Sequence, residues 1–147
     1  MNYIKLITVY SLAMLYVLVG ITHFTDPDFF IPLVPPSFIY QEELVLISGF
    51  IEVVMGVMLF FKSSRKLGAI ITIILLLAVF PANIYLYISD TPRNILDISK
   101  NQALFRLPFQ VPLIIIAYWH SIEKCSKRFS LFCSAIFIPT IIYFISL

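Results

Sequence analysis

A single acidic residue, Glu52, interrupts an otherwise uncharged run of 18 residues, 44–61, and is the strongest candidate for chemistry in the chain. A charged side chain at the centre of a membrane costs about 2.5–3.5 kcal/mol, so intramembrane acids are rare and are commonly functional. Ser48, Gly49 and Gly56 share a helical face with Glu52. Because small residues let a neighbouring helix approach closely, we expect Glu52 to face protein and not lipid.

Two charge states of Glu52 are compatible with such a position. The side chain is either a neutral acid that hydrogen-bonds a neighbour, or a carboxylate that pairs with His23 or Arg106. The alternative to a functional role is a structural hydrogen bond that only holds two helices together.

Four further polar residues lie near the ends of the other apolar runs. Side chains lean toward the N-terminus of their own helix, so residues on helices of opposite direction point toward each other. His23 and Asn83 are predicted to come from helices that run one way, and Glu52, Arg106 and Gln110 from helices that run the other. If these helices are neighbours, the five side chains form a candidate polar pocket. The sequence assigns no catalytic residue.

The composition places these residues in a membrane protein. Apolar residues make up 61% of the 147 residues and charged residues 12%, and the mean hydropathy is +0.99. A soluble domain is typically about half apolar and about a quarter charged. These values exclude a soluble enzyme domain and a disordered tail, and the net charge of +2 is too small for a nucleic-acid-binding surface.

Charge-poor runs predict an all-α integral membrane fold in one domain, residues 1–147. A membrane helix needs about 20 mostly apolar residues. We expect a four-helix transmembrane bundle with an additional C-terminal fifth span, at about 6–25, 44–61, 67–89, 106–122 and 129–146. The first run resembles a signal peptide, but no A-x-A-like cleavage site follows it, so retention as a span is favoured.

Basic residues predict the orientation of these spans. Seven Lys and Arg residues fall on the side of Lys5 and of the loop at 62–66, and three fall on the side of Arg93. The side richer in basic residues is expected to be cytoplasmic. This puts the N-terminus in the cytoplasm and the C-terminus outside a cell membrane. His120, at the cytoplasmic end of the fourth span, is expected to be an interfacial residue.

The connection at 26–43 is rich in prolines and aromatic residues, which prevent one continuous helix and favour the membrane interface. We expect this segment to form a lid over the bundle; the alternative is an interfacial anchor without a function. Pro81 and Pro112 each free a backbone carbonyl within a span, and Asn83 or a water molecule could serve the carbonyl of Leu77. Pro108 is harmless if it lies in a first helical turn.

No metal site is expected, since the two histidines lie far apart and the two cysteines do not form a C-x-x-C pair. Nucleotide-binding and hydrolase motifs are also missing from the sequence. No cofactor is required by these patterns.

Several short motifs resemble the uncharacterised bacterial branch of the DoxX family of small membrane proteins. The resemblance covers about residues 6–122. It rests on Gly20-Ile-Thr-His23-Phe24, Val34-Pro35-Pro36, Ser48-Gly49-x-x-Glu52, Val79-Phe80-Pro81-Ala82-Asn83 and Arg106-Leu107-Pro108-x-Gln110. It implies a four-helix membrane bundle linked to redox complexes, and it implies no catalytic residue set.

Three functions remain open at this point. The first is a membrane subunit or assembly factor of a quinone-linked redox complex, with a quinone near His23, Glu52 and Arg106 and no catalysis by this chain alone. The second is a small proton-coupled transporter, and the third is a structural or chaperone-like bundle without chemistry. The expected partners are the lipid bilayer and a redox-enzyme subunit, with an oligomer possible and no nucleic acid.

Overall fold

The computed structural model describes residues 3–145, and all regular structure in that range is helical. Residue 146, the predicted end of the fifth span, lies outside the described residues. The helices are α1 (Tyr3–Thr25), α2 (Pro27–Phe30), α3 (Gln41–Phe60), α4 (Arg65–Ile88), α5 (Asp90–Leu96), α6 (Lys100–Ser121) and α7 (Lys127–Ile145), with a 3₁₀ turn at Ile31–Leu33 after α2.

Four helices, α1, α3, α4 and α6, are long and apolar enough to cross a membrane. Their outward faces carry large apolar side chains, for example Ile7, Phe50, Leu77 and Val111, each more than half exposed. A water-soluble protein rarely exposes such continuous apolar surface. The prediction of an all-α fold with four membrane-length helices is confirmed. The fifth span stays a prediction, carried by α7.

Helices α1 and α3 pack antiparallel with their backbones in close contact. A Cβ atom added to Gly20 would lie 2.8 Å from the carbonyl oxygen of Gly49, and one added to Gly56 would lie 3.0 Å from that of Ala13. Only glycine allows these approaches. The small residues that the sequence places on the Glu52 face therefore bring α1 against α3, next to Glu52 itself.

The remaining helices complete the bundle around this pair. Helix α4 packs against α3 and α6, and α7 packs against α6 and α1. The ring of Tyr143 stacks on Phe109 at 4.0 Å, and Phe129 meets Tyr118 edge-on at 6.3 Å. These contacts near both ends of α7 show that it runs antiparallel along α6.

Helix α6 begins six residues before the predicted fourth span. Ser99 accepts a hydrogen bond from the backbone N–H of Gln102, whose side chain accepts one from the N–H of Ser99, and this capping box sets the start of the helix. Arg106 thus lies inside the helix. Pro108 also lies inside the helix and not in its first turn.

The short helix α5 was not predicted from the sequence. Its Arg93 is buried and donates to the carbonyl oxygens of Leu86 and Tyr87 at the end of α4, and it pairs with Asp90. A guanidinium group therefore satisfies the last carbonyls of α4 and sets the turn into α6.

Gly56→Ala is predicted to lower the thermal stability of the purified protein in detergent. The added methyl group would meet Val17 Cγ2 at 2.8 Å and the backbone of α1 at 3.0 Å, so the two helices must separate. Overpacking of this kind costs about 1–3 kcal/mol. The control is Val57→Ala on the exposed side of α3, which should change the midpoint far less. Equal midpoints for wild type and Gly56→Ala would show that this contact is not tight.

Candidate functional site

A cavity of about 290 Å³ opens between α1, α3, α4 and α6, near the ends that carry α2 and α5. All five residues of the candidate polar pocket line it: His23, Glu52, Asn83, Arg106 and Gln110. Phe30, Leu33 and Val34, from the segment after α1, also line the cavity. Part of the 26–43 segment therefore forms a wall of the cavity, while its last three residues belong to α3, and we refer to 26–43 as the cover segment.

His23 lies in the last turn of α1 and is fixed on both sides. Its Nδ1 donates to the carbonyl oxygen of Val19 at 2.9 Å, and its ring stacks on Phe30 with centroids 3.7 Å apart. Because a carbonyl can only accept, Nδ1 carries a proton, and in the neutral ring Nε2 is then the acceptor. The stack also holds the cover segment against the cavity.

Glu52 lies on α3 beside the glycine contact. Its side chain is 12% exposed, and its Oε2 is 3.7 Å from His23 Nδ1, which is an electrostatic contact and too long for a hydrogen bond. Oε2 makes no hydrogen bond with any residue between 3 and 145. Of the two cationic partners considered from the sequence, His23 is thus the one nearby, and no Glu52–Arg106 ion pair forms within the described chain.

Asn83 and Gln110 form a bridge between α4 and α6. The side-chain N–H of Asn83 donates to Gln110 Oε1 at 3.2 Å, and the Gln110 amide donates to the carbonyl oxygen of Leu76. Pro81 interrupts the backbone hydrogen bonding of α4 in this region. The Gln110 donor thus reaches the carbonyl of Leu76, one residue before Leu77, and the expected contact of Asn83 with the carbonyl of Leu77 stays a prediction. The main role of the pair is to hold α4 and α6 together.

Arg106 and Tyr16 line the cavity, and each carries a polar atom that is buried in the bundle. Arg106 Nε and the Tyr16 hydroxyl are buried, and neither is hydrogen-bonded to another part of the chain that the structure describes. An unsatisfied buried polar group costs about 1–3 kcal/mol. With Glu52 Oε2, three residues that line the cavity thus carry a buried polar atom without a hydrogen bond to the described residues.

Tyr16 was not among the candidates from the sequence. It lies seven residues before His23, two helical turns away on the same face of α1, and it lines the same cavity. The spacing could have been recognised in the sequence, but a tyrosine in an apolar run is equally expected to pack in a core. Only its burial without a hydrogen bond sets it apart.

An apolar groove adjoins the polar cavity. It has a volume of about 250 Å³ and reaches the side of the bundle between α3 and α4, where Leu44, Ile47 and Ala78 line it. Both spaces share the lining residues Val34, Val45, Ser48, Val79 and Ala82. The polar cavity and the apolar groove are therefore adjacent, and the groove lies on the flank of the bundle between α3 and α4.

The arrangement suits the binding of a polar group better than metal chemistry. Within the described residues, no three His, Cys, Asp or Glu side chains are grouped so that they could hold a metal ion. Arg106 Nε–H and the Tyr16 hydroxyl are donors, and Glu52 donates or accepts according to its charge. These groups can make hydrogen bonds to a polar ligand, and the stacked residues His23 and Phe30 line the same cavity.

A family model described as "Domain of unknown function (DUF8561)" matches residues 12–121, about three quarters of the chain. Neither a curated protein nor a solved structure matches the chain. The resemblance to the DoxX family is therefore wrong. The short motifs behind it combine prolines, small residues and isolated polar residues near helix ends, which any small membrane bundle needs for kinks and close packing.

Gln110→Leu is predicted to lower the free energy of unfolding by about 1 kcal/mol, because it removes the bridge between α4 and α6 and leaves Asn83 without its partner. The comparison variant is Glu52→Gln, which loses no hydrogen bond at Oε2 and should change this free energy by less than about 0.5 kcal/mol. Reversible unfolding in mixed micelles measures both. A larger loss of stability in Glu52→Gln than in Gln110→Leu would contradict the assignment of a structural role to Gln110.

Proposed function

The chain belongs to the DUF8561 family, whose function is unknown, and we propose that it is a multi-pass membrane protein that binds the polar head group of a lipid-soluble molecule. One observation carries this proposal. Tyr16, Glu52 and Arg106 line a cavity next to an apolar groove, and each carries a buried polar atom without a hydrogen bond to the described residues. A molecule with a polar head and an apolar tail matches both parts.

A quinone is the ligand class that fits best. Its head group is a planar ring with carbonyl oxygens on opposite sides, and each oxygen needs a hydrogen-bond donor. Arg106 Nε–H and the Tyr16 hydroxyl are such donors, and a neutral Glu52 is a third. The stacked rings of Phe30 and His23 offer an aromatic surface to the flat ring.

The groove also supports a quinone, because it could hold the hydrocarbon tail of the molecule. Its lining is almost entirely apolar, from Val34 and Phe38 of the cover segment to Leu75 and Val79 of α4. Burying a hydrocarbon chain there is favourable by about 25 cal/mol per Å² of apolar surface. A head group without a tail would gain only the polar contacts.

A redox context follows from this ligand class. A bound quinone acts by exchanging electrons and protons with a partner, so an accessory role in a quinone-linked redox complex stays our proposal for the cellular setting. Glu52 and His23, 3.7 Å apart, are suited to hold or release a proton beside the ring.

The position in the membrane is also part of this proposal. We place α1, α3, α4 and α6 across a cell membrane, with α7 as the fifth span because it runs along α6 from Phe129 to Tyr143. The basic loop at 62–66 lies in the cytoplasm and the cavity lies toward the opposite surface.

Tyr16→Phe is predicted to weaken the binding of a decyl-substituted benzoquinone about 3- to 10-fold, the effect of one lost hydrogen bond. Folding should be unaffected, because the Tyr16 hydroxyl makes no hydrogen bond with the described residues. The measurement is an equilibrium titration of the purified protein in lipid nanodiscs. The matched control, Tyr118→Phe, changes an exposed tyrosine at the far end of α6 and should bind like wild type.

A second variant tests the groove separately. Ala78→Phe fills the groove and should weaken the decyl-substituted quinone while leaving a tail-less benzoquinone unchanged, because Ala78 lines the groove and not the cavity. If Tyr16→Phe and Ala78→Phe both bind the decyl-substituted quinone as wild type does, the cavity is not its site.

Two single-cysteine variants test the orientation. In a background in which Cys125 and Cys133 are replaced by serine, Asn94→Cys should react in intact cells with a maleimide that cannot cross membranes. Ser63→Cys should react only after the cells are opened, because it belongs to the basic loop. Both positions are exposed in the structure. Labelling of Ser63→Cys but not of Asn94→Cys in intact cells would show that the protein has the opposite orientation.

A further inference from the structure

A second cavity lies at the opposite end of the bundle, among its basic residues. It has a volume of about 240 Å³ and opens between the start of α1, the α3–α4 loop and the end of α6. Five cationic side chains and one acid line it: Lys5, Lys62, Arg65, Lys66, Lys124 and Glu123. Such an excess of positive charge around one space favours an anion.

Two of these cations are held in place by the ends of helices. Lys5 donates to the carbonyl oxygen of Ile122 at 2.6 Å, and Arg65 donates to that of Leu59 at 2.9 Å. Both side chains are buried, so their charges are fixed in position. The lysines at 62, 66 and 124 are exposed around the opening of the same cavity.

His120 supplies an independent observation that points to a ligand. The sequence position suggested an interfacial residue, but His120 is only 3% exposed. Both of its ring nitrogens are buried, and neither has a hydrogen-bond partner in the part of the chain that the structure describes. The ring lines the basic cavity, beneath the lysines. A buried imidazole without a hydrogen bond is costly, and a ligand in the cavity would supply the missing partner.

We propose that this cavity binds the phosphate group of an anionic phospholipid, with His120 as the buried donor and Lys62, Lys66 and Lys124 as cations at the opening. A phosphate carries several strong acceptor oxygens, which match an N–H donor below and ammonium groups above. The cavity lies at the ends of α1, α4 and α6, three membrane-length helices, where lipid head groups meet a membrane protein. This position favours a lipid phosphate over a soluble one.

The test measures the binding of phosphatidic acid to the full chain in phosphatidylcholine nanodiscs. His120→Leu replaces the imidazole with an apolar side chain of similar size and removes both nitrogens, so it should weaken binding about 10-fold or more. Lys66→Ala removes one exposed cation at the opening and should weaken binding severalfold without affecting the fold. The control is Arg128→Ala, which removes an equal charge at the same end but outside the cavity, and it should bind as wild type does.

Each outcome decides the proposal. Weaker binding in Lys66→Ala but not in Arg128→Ala supports it even if His120→Leu fails to fold. Equal losses in Lys66→Ala and Arg128→Ala, with none in His120→Leu, would show attraction to the whole basic surface and overturn it. Inorganic phosphate serves as the second probe. If it binds with the same dependence on Lys66 while phosphatidic acid does not, the site takes a soluble phosphate and the lipid assignment is wrong.

Discussion

The backbones of α1 and α3 touch where Gly20 faces Gly49, and the polar cavity depends on this contact. His23 and Glu52 come from these two helices, one turn beyond each glycine, so the contact sets the 3.7 Å between their side chains. Any side chain larger than hydrogen at Gly20 or Gly49 would separate the helices. In an apolar bundle the helices gain little from hydrophobic burial against each other, so this close packing replaces it.

The polar residues around the cavity divide into two groups with different tasks. Asn83 and Gln110 are satisfied by each other and by α4, whose hydrogen bonding Pro81 interrupts. Glu52 and Arg106 each keep a buried atom without a partner among the described residues. The two amide residues thus stabilise the packing of α4 against α6, whereas Glu52 and Arg106 have polar atoms that the described residues leave without a hydrogen bond.

Much of the fold was predictable because charge and hydropathy alone set the membrane-length helices, and the side-chain lean explains why the five polar residues line one space. The start of α6 was missed because a capping box of Ser99 and Gln102 extends the helix into a polar stretch. The pairing of Gln110 with Asn83 and Leu76 depends on the register between α4 and α6, which no local pattern encodes. The burial of Tyr16 and His120 polar atoms without a hydrogen bond to residues 3–145 is visible only in three dimensions.

The cover segment forms one wall of the cavity, and its position is fixed by side-chain contacts. Phe30 stacks on His23, and Gln41 donates to the carbonyl oxygens of Val34 and Pro35, so the segment is fixed at two points. The apolar groove, in contrast, reaches the flank of the bundle between α3 and α4. For the lipid-soluble ligand proposed above, this position predicts entry from the side of the bundle, so that its occupancy would follow its partition into the bilayer instead of its concentration in water.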